Sequence, residues 1–181
     1  GTGAFDGESA SLSGVGVLVG GNTGSFTNSG KIEGSIAGVA FGFDGEAPVP
    51  VTSFTNTASG TITGLGEMGV GFSSGVDAFD NAGTIAGPLT GVPAFGGGGF
   101  GNEFVGVGIA NGVTSFTNSG TISGYGGGVE IYGRFGTFAN SGTITGTAGP
   151  SLYASAYNFD GESSVAAFGS LTNSGTIEGR Y

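Results

Sequence analysis

Cysteine, histidine and tryptophan are missing from this chain altogether, methionine occurs once, and only 3 of the 181 residues are basic. Each shortage excludes something. Without Cys there is no disulfide framework and no thiol nucleophile. Without His or Cys there is no Cys/His zinc or haem site and no Ser-His-Asp triad. The 3 basic residues stand against 13 acidic ones, a formal charge of −10, so no basic patch is expected to hold nucleic acid or an anionic membrane surface. Long apolar runs are absent too. The longest stretch, Val15-Gly-Val-Leu-Val19, suits one strand, so neither a signal sequence nor a membrane-embedded segment is expected.

What the chain has in abundance is glycine, 44 residues of it, beside 5 Pro. Without a period, that share would indicate a low-complexity disordered chain. Two features oppose disorder. There are 15 Phe and 37% hydrophobic residues to bury, and the glycines recur inside a motif without the every-third-residue spacing of collagen. Low charge, abundant Ser, Thr and Asn, and repeated Gly turns fit an exported bacterial surface protein, so an extracellular or cell-surface location is expected. Beginning at Gly1-Thr2-Gly3, the chain reads as a processed product or a fragment.

One nine-residue block recurs six times. It reads Phe26-Thr-Asn-Ser-Gly-Lys-Ile-Glu-Gly34, and again from Phe54 (with two residues inserted), Phe79, Phe116, Phe138 and Leu171. A degenerate copy opens the chain near Phe5, so coils are expected to start near 5, 26, 54, 79, 116, 138 and 171 of a single 1–181 domain. In Thr-Ile-x-Gly, alternation points Ile inward and its neighbours outward. In Phe-Thr-Asn the Phe points inward, and Asn-Ser-Gly supplies tight turn geometry at least cost. A third apolar stretch follows in four copies, as in Gly38-Val39-Ala40-Phe41 and Gly106-Val107-Gly108-Ile109. Each repeat is thus expected to hold three strands of three to five residues.

A single repeat cannot bury its own Phe, Ile and Val, whereas stacked repeats can, each strand pairing with its equivalent about 4.8 Å away. The predicted fold is all-β, a parallel β-helix (β-solenoid) of six to seven coils. Its core stack is Ile32, Ile62, Ile85, Ile122, Ile144 and Ile177 with Phe26, Phe54, Phe79, Phe116, Phe138 and Leu171. Insertions are expected mostly between the Gly-Val strand and the next Phe strand, as in Gly42–Ser53, Phe95–Ser115 and Gly149–Ser170. Two readings fit the recurrent Asn28, Asn56, Asn81, Asn118, Asn140 and Asn173. They are an inward amide ladder satisfying buried turn groups, or a plain turn residue with an exposed side chain. The ladder is favoured, because an exposed turn accepts Asp or Gly as readily.

The repeated Phe-Thr-Asn-Ser-Gly-Thr-Ile-x-Gly resembles the passenger regions of bacterial autotransporters and other large β-helical surface adhesins. The resemblance runs through the repeats over essentially the whole chain. It implies a right-handed parallel β-helix and, for activity, an adhesin, an aggregation factor or a matrix protein. The 181 residues include no membrane barrel of the family's C-terminal kind, so an excised piece or another export path is expected.

Candidate chemistry is sparse. Phe-Asp-Gly followed by Glu occurs three times, placing Asp6 with Glu8, Asp44 with Glu46, and Asp160 with Glu162. These pairs are weak Ca²⁺ candidates, since that ion takes six to eight oxygens, and solvated acidic loops are the plainer reading. Asp77, Asp80 and Glu103 are the carboxylates a polysaccharide-active enzyme would use, but no basic cluster accompanies them and no catalytic residues are assigned. Two outward Thr-rich rows flank the Ile column. They suit an ice-binding face, or simply Thr's preference for strands, and Glu33, Ala86 and Glu178 interrupt one of them. Phe95, Phe100, Phe104, Tyr125, Tyr132, Tyr153 and Tyr157 lie in or near insertions, either covering the column or forming an adhesive patch. No cap is evident for the open coil ends, which favours a homo-oligomer or filament joined head to tail. The expectation is a non-catalytic extracellular structural protein, with a glycan-binding adhesin segment as the alternative.

Overall fold

The computed structural model describes residues 14–21, 23–43, 51–90, 104–155 and 168–180. Across them the chain winds as a parallel β-helix of six coils, each giving one strand to each of three six-stranded parallel sheets. The first, called here the Val sheet, comprises Val15–Val19, Ala37–Phe41, Met68–Phe72, Val105–Ile109, Gly127–Tyr132 and Leu152–Ser155. The Asn sheet comprises Ser25–Asn28, Val51–Asn56, Val76–Asn81, Val113–Asn118, Phe135–Asn140 and Phe168–Asn173. The Ile sheet comprises Lys31–Gly34, Thr61–Gly64, Thr84–Ala86, Thr121–Gly124, Thr143–Gly146 and Thr176–Gly179.

Stacking is like on like. The motif Phe residues and Leu171 pair in one file, the six Asn residues in a second, and the six Ile residues in a third. Inside the column Ile62, Ile85, Ile122 and Ile144 are fully buried. The motif Phe rings stack with centroids 4.8 Å apart at Phe54–Phe79, 4.5 Å at Phe79–Phe116 and 4.6 Å at Phe116–Phe138. A second aromatic pair from the Val sheet, Phe41 on Phe72 at 4.7 Å, meets this file edge to face. Each fully buried ring contributes about 1.5–3 kcal/mol by burial, with about 0.5–1.5 kcal/mol more from favourable ring pairing.

In the central strands of the Val sheet both faces are buried, as in parallel sheets generally: every residue of Ala37–Phe41, Met68–Phe72 and Val105–Ile109 is buried. That explains the Gly in its Gly-Val signature. A Cβ on Gly69 would lie 2.7 Å from the Cγ2 of Ile85, and one on Gly106 the same distance from that of Ile122. The Val and Ile sheets therefore approach closely only because this position carries no side chain.

Three expectations need correcting. Strands reach six residues, and in Val51–Asn56, Val76–Asn81, Val113–Asn118 and Phe135–Asn140 the motif Phe is the fourth. The stretch Phe95–Ser115 is not one insertion, because it contains Val105–Ile109 and the start of Val113–Asn118. In that coil residues 91–103, which fall in the chain between a strand of the Ile sheet and one of the Val sheet, lie outside the described residues. Within Gly149–Ser170, Leu152–Ser155 is a strand of the Val sheet. It lacks the Gly-Val signature, but register needs apolar side chains only at its inward positions, and Leu152 and Ala154 supply them against the core. The coil expected near residue 5 also lies outside the described residues, although a strand of the Val sheet, Val15–Val19, follows it.

Candidate functional site

Asn-Ser-Gly turns the chain from the Asn sheet into the Ile sheet, and the Asn side chain is drawn inward there. Asn56, Asn81 and Asn118 are fully buried, with Asn28 and Asn140 nearly so. Each Nδ2 donates to the Oδ1 of the next Asn: 2.9 Å from Asn28 to Asn56, 2.8 Å on to Asn81, 2.7 Å to Asn118, 2.7 Å to Asn140 and 2.8 Å to Asn173. The same amide nitrogen also donates within its own turn, as from Asn81 to the carbonyl of Gly83 (3.2 Å) and from Asn118 to that of Gly120 (3.3 Å). Because a carbonyl oxygen must face a nitrogen, these turn contacts fix which amide atom points where. The ladder is therefore polar, every donor aimed toward the later coil.

The charged groups lie elsewhere. Lys31 pairs with Glu33 at 2.8 Å on the first strand of the Ile sheet, and Arg180, just past its last strand, pairs with Glu178 at 3.0 Å; all four are exposed. Exposed pairs of this kind contribute little to stability. Asp77 and Asp80 are exposed on one strand of the Asn sheet, and their register neighbours are not carboxylates: Asp80 lies between Thr55 and Thr117. The remaining member of that expected trio, Glu103, lies outside the described residues. So do all six Ca²⁺ candidates, Asp6, Glu8, Asp44, Glu46, Asp160 and Glu162. Among the described residues no three metal-ligating side chains of the His/Cys/Asp/Glu type converge.

The outward rows beside the Ile column are in register as expected, with Thr61, Thr84, Thr121, Thr143 and Thr176 in one and Thr63, Ala86, Ser123, Thr145 and Glu178 in the other. Of the insertion aromatics, Phe104 meets Tyr125 edge to face at 6.3 Å, and Tyr132 lies 5.9 Å from Tyr153. Phe95, Phe100 and Tyr157 lie outside the described residues.

Sequence reasoning missed two features. Glu130 is fully buried on the outer side of the Val sheet, between inward Val129 and Ile131, and accepts a hydrogen bond from the Tyr132 hydroxyl at 3.3 Å. Alternation alone places it in solvent. The other is an open groove of about 520 Å³ where the Val sheet turns into the Asn sheet. There the corners of three successive coils are short (residues 73–75, 110–112 and 133–134), and the groove runs over them onto Asp77, Thr114, Gly136 and Gly169. Asn111 holds a left-handed φ of 62° and Gly112 one of 94°. A Cβ on Gly112 would run into the carbonyl oxygen of Arg134, so the tight corner requires glycine. Only the run of short linkers in the sequence hinted at this surface.

These features define the class: a parallel β-helix with a continuous aromatic and aliphatic core and a polar amide ladder. No family model, curated protein or solved structure matches the chain.

Proposed function

We propose that the protein is a non-catalytic structural β-solenoid of the cell exterior, a rigid subunit that assembles end to end into fibres or matrix. The unidirectional ladder carries this reading. Every coil presents Asn acceptors on one side and Asn donors on the other, so one copy laid on the next meets donor with acceptor, and the Phe and Ile files continue across the junction. A head-to-tail contact of this kind propagates into a filament unless it closes. A structural role also suits Asp80, whose neighbours in register are Thr55 and Thr117 rather than carboxylates. Composition supports placement outside the cell.

Negative-stain electron microscopy across a concentration series tests this reading. Six stacked strands span about 24 Å. Rods many times that length, growing with protein concentration, are the expected result. Dispersed single-chain particles at the highest concentration overturn it.

A further inference from the structure

The corner groove makes a second proposal, independent of filament formation: we propose that it is a binding site for a neutral oligosaccharide lying along the helix axis. Asp77, Thr114, Gly136 and Gly169 occupy equivalent positions in four successive coils, because their strand neighbours pair Val76 with Val113, Phe135 and Phe168. Three inter-strand steps make this row about 14 Å long, which suits a short chain of sugars better than one ring. Its far half has no side chains, so a ring can rest on the backbone at Gly136 and Gly169. Its near half offers the Asp77 carboxylate and the Thr114 hydroxyl, both exposed.

Arg134 and Asn111 form the other wall, on the corner side of the row. Both ion pairs among the described residues use other cations, Lys31 and Arg180, so the exposed Arg134 guanidinium belongs to neither. Asp77 only accepts hydrogen bonds, Arg134 only donates, and Asn111 and Thr114 do both. Vicinal hydroxyls, each a donor and an acceptor, answer that mixture, whereas a polyanion satisfies only the donors. Net charge points the same way, because a protein at −10 repels a polyanion and one guanidinium does not reverse its field. At about 520 Å³ the groove falls within the size range of small-ligand sites.

Amide NMR spectra of the isotope-labelled chain, titrated with cellohexaose, chitohexaose and mannohexaose, test the proposal, with hexagalacturonate as the charged arm. At least one neutral probe is expected to give saturable shifts at millimolar concentration, confined to the amides of Asn111, Gly112, Thr114, Gly136 and Gly169. Asp77→Asn is expected to weaken that binding about tenfold, the effect of losing hydrogen bonds to a charged group. Asp80→Asn changes the net charge identically outside the groove and is expected to leave binding unchanged. The spectra also report whether each variant is folded. Failure of all three neutral probes to saturate, equal effects of the two Asp variants, or tighter binding of hexagalacturonate overturns the proposal.

Discussion

Asn118 sits in the middle of the ladder, accepting from Asn81 at 2.7 Å and donating to Asn140 at the same distance, with no exposure to solvent. Asn118→Ala would take the shortest acceptor from the buried Asn81 amide and the ladder donor from the Asn140 Oδ1, and is expected to lower unfolding stability by about 2–5 kcal/mol in a denaturant titration. Asn118→Asp separates shape from hydrogen bonding. A carboxylate there still accepts from Asn81, but turns oxygen toward the carbonyls of Gly120 and Thr143 and the Oδ1 of Asn140. Burial and these facing oxygens raise its folded pKa above the unfolded value of about 3.9. The acid form is thus the one that fits. Its stability is fully present below the unfolded pKa and lost as pH rises through the folded one. Unfolding midpoints measured against wild type should therefore converge in acid and diverge toward neutrality, and a gap independent of pH would refute the ladder's donor role. At this scale the sequence was highly legible, since a stacked amide ladder needs the same Asn in every block and an exposed turn does not. Glu130 was not legible, because its burial comes from the outer side of the Val sheet, which inward-outward alternation does not describe.

At the scale of strand and corner, one motif position shows how context decides. A Cβ on Gly120 would strike the Gly83 carbonyl oxygen of the coil before, while a Cβ on Gly30, the same residue of the motif, meets nothing within 4 Å. Gly120→Ala is expected to cost several kcal/mol, since backbone must move to admit the methyl. Gly30→Ala is expected to stay within about 0.5 kcal/mol of wild type, as at an ordinary surface site. Thermal unfolding of the two variants side by side checks the contrast, and equal losses would mean that motif identity outweighs contact with the neighbouring coil. The Asn and Ile sheets could be placed from the repeats because both faces of each strand are marked: inward Phe, Asn or Ile, outward Thr or Ser. The central strands of the Val sheet are buried on both sides and carry no such alternation, and its last strand at Leu152 lacks even the Gly-Val signature. For the same reason the groove was invisible. It arises from where linkers are short and side chains absent, which no motif records.

Among the described residues the pairing is close to one-dimensional, each strand joined to its equivalents in the coils beside it, so stability should vary along the axis. Interior coils bury Phe79, Phe116, Ile85 and Ile122 almost completely, whereas Phe26 and Ile32 are half-buried at one end and Ile177 at the other. Ile122→Ala opens a cavity with close-packed walls and is expected to cost about 2–5 kcal/mol. Ile177→Ala removes the same atoms from a site that solvent already reaches, and is expected to cost less than half as much. Hydrogen exchange gives the matching gradient without mutation: amides of Val113–Asn118 and Thr121–Gly124 should exchange most slowly, those of Ser25–Asn28 and Thr176–Gly179 fastest. End-to-end assembly makes the gradient informative about function. If copies stack through their coil ends, raising the protein concentration should slow exchange at Thr176–Gly179 and Phe168–Asn173 while leaving the central strands unchanged. Exchange at the ends that stays constant while rods form would place the contact on the flanks of the column, with the ladder serving rigidity alone.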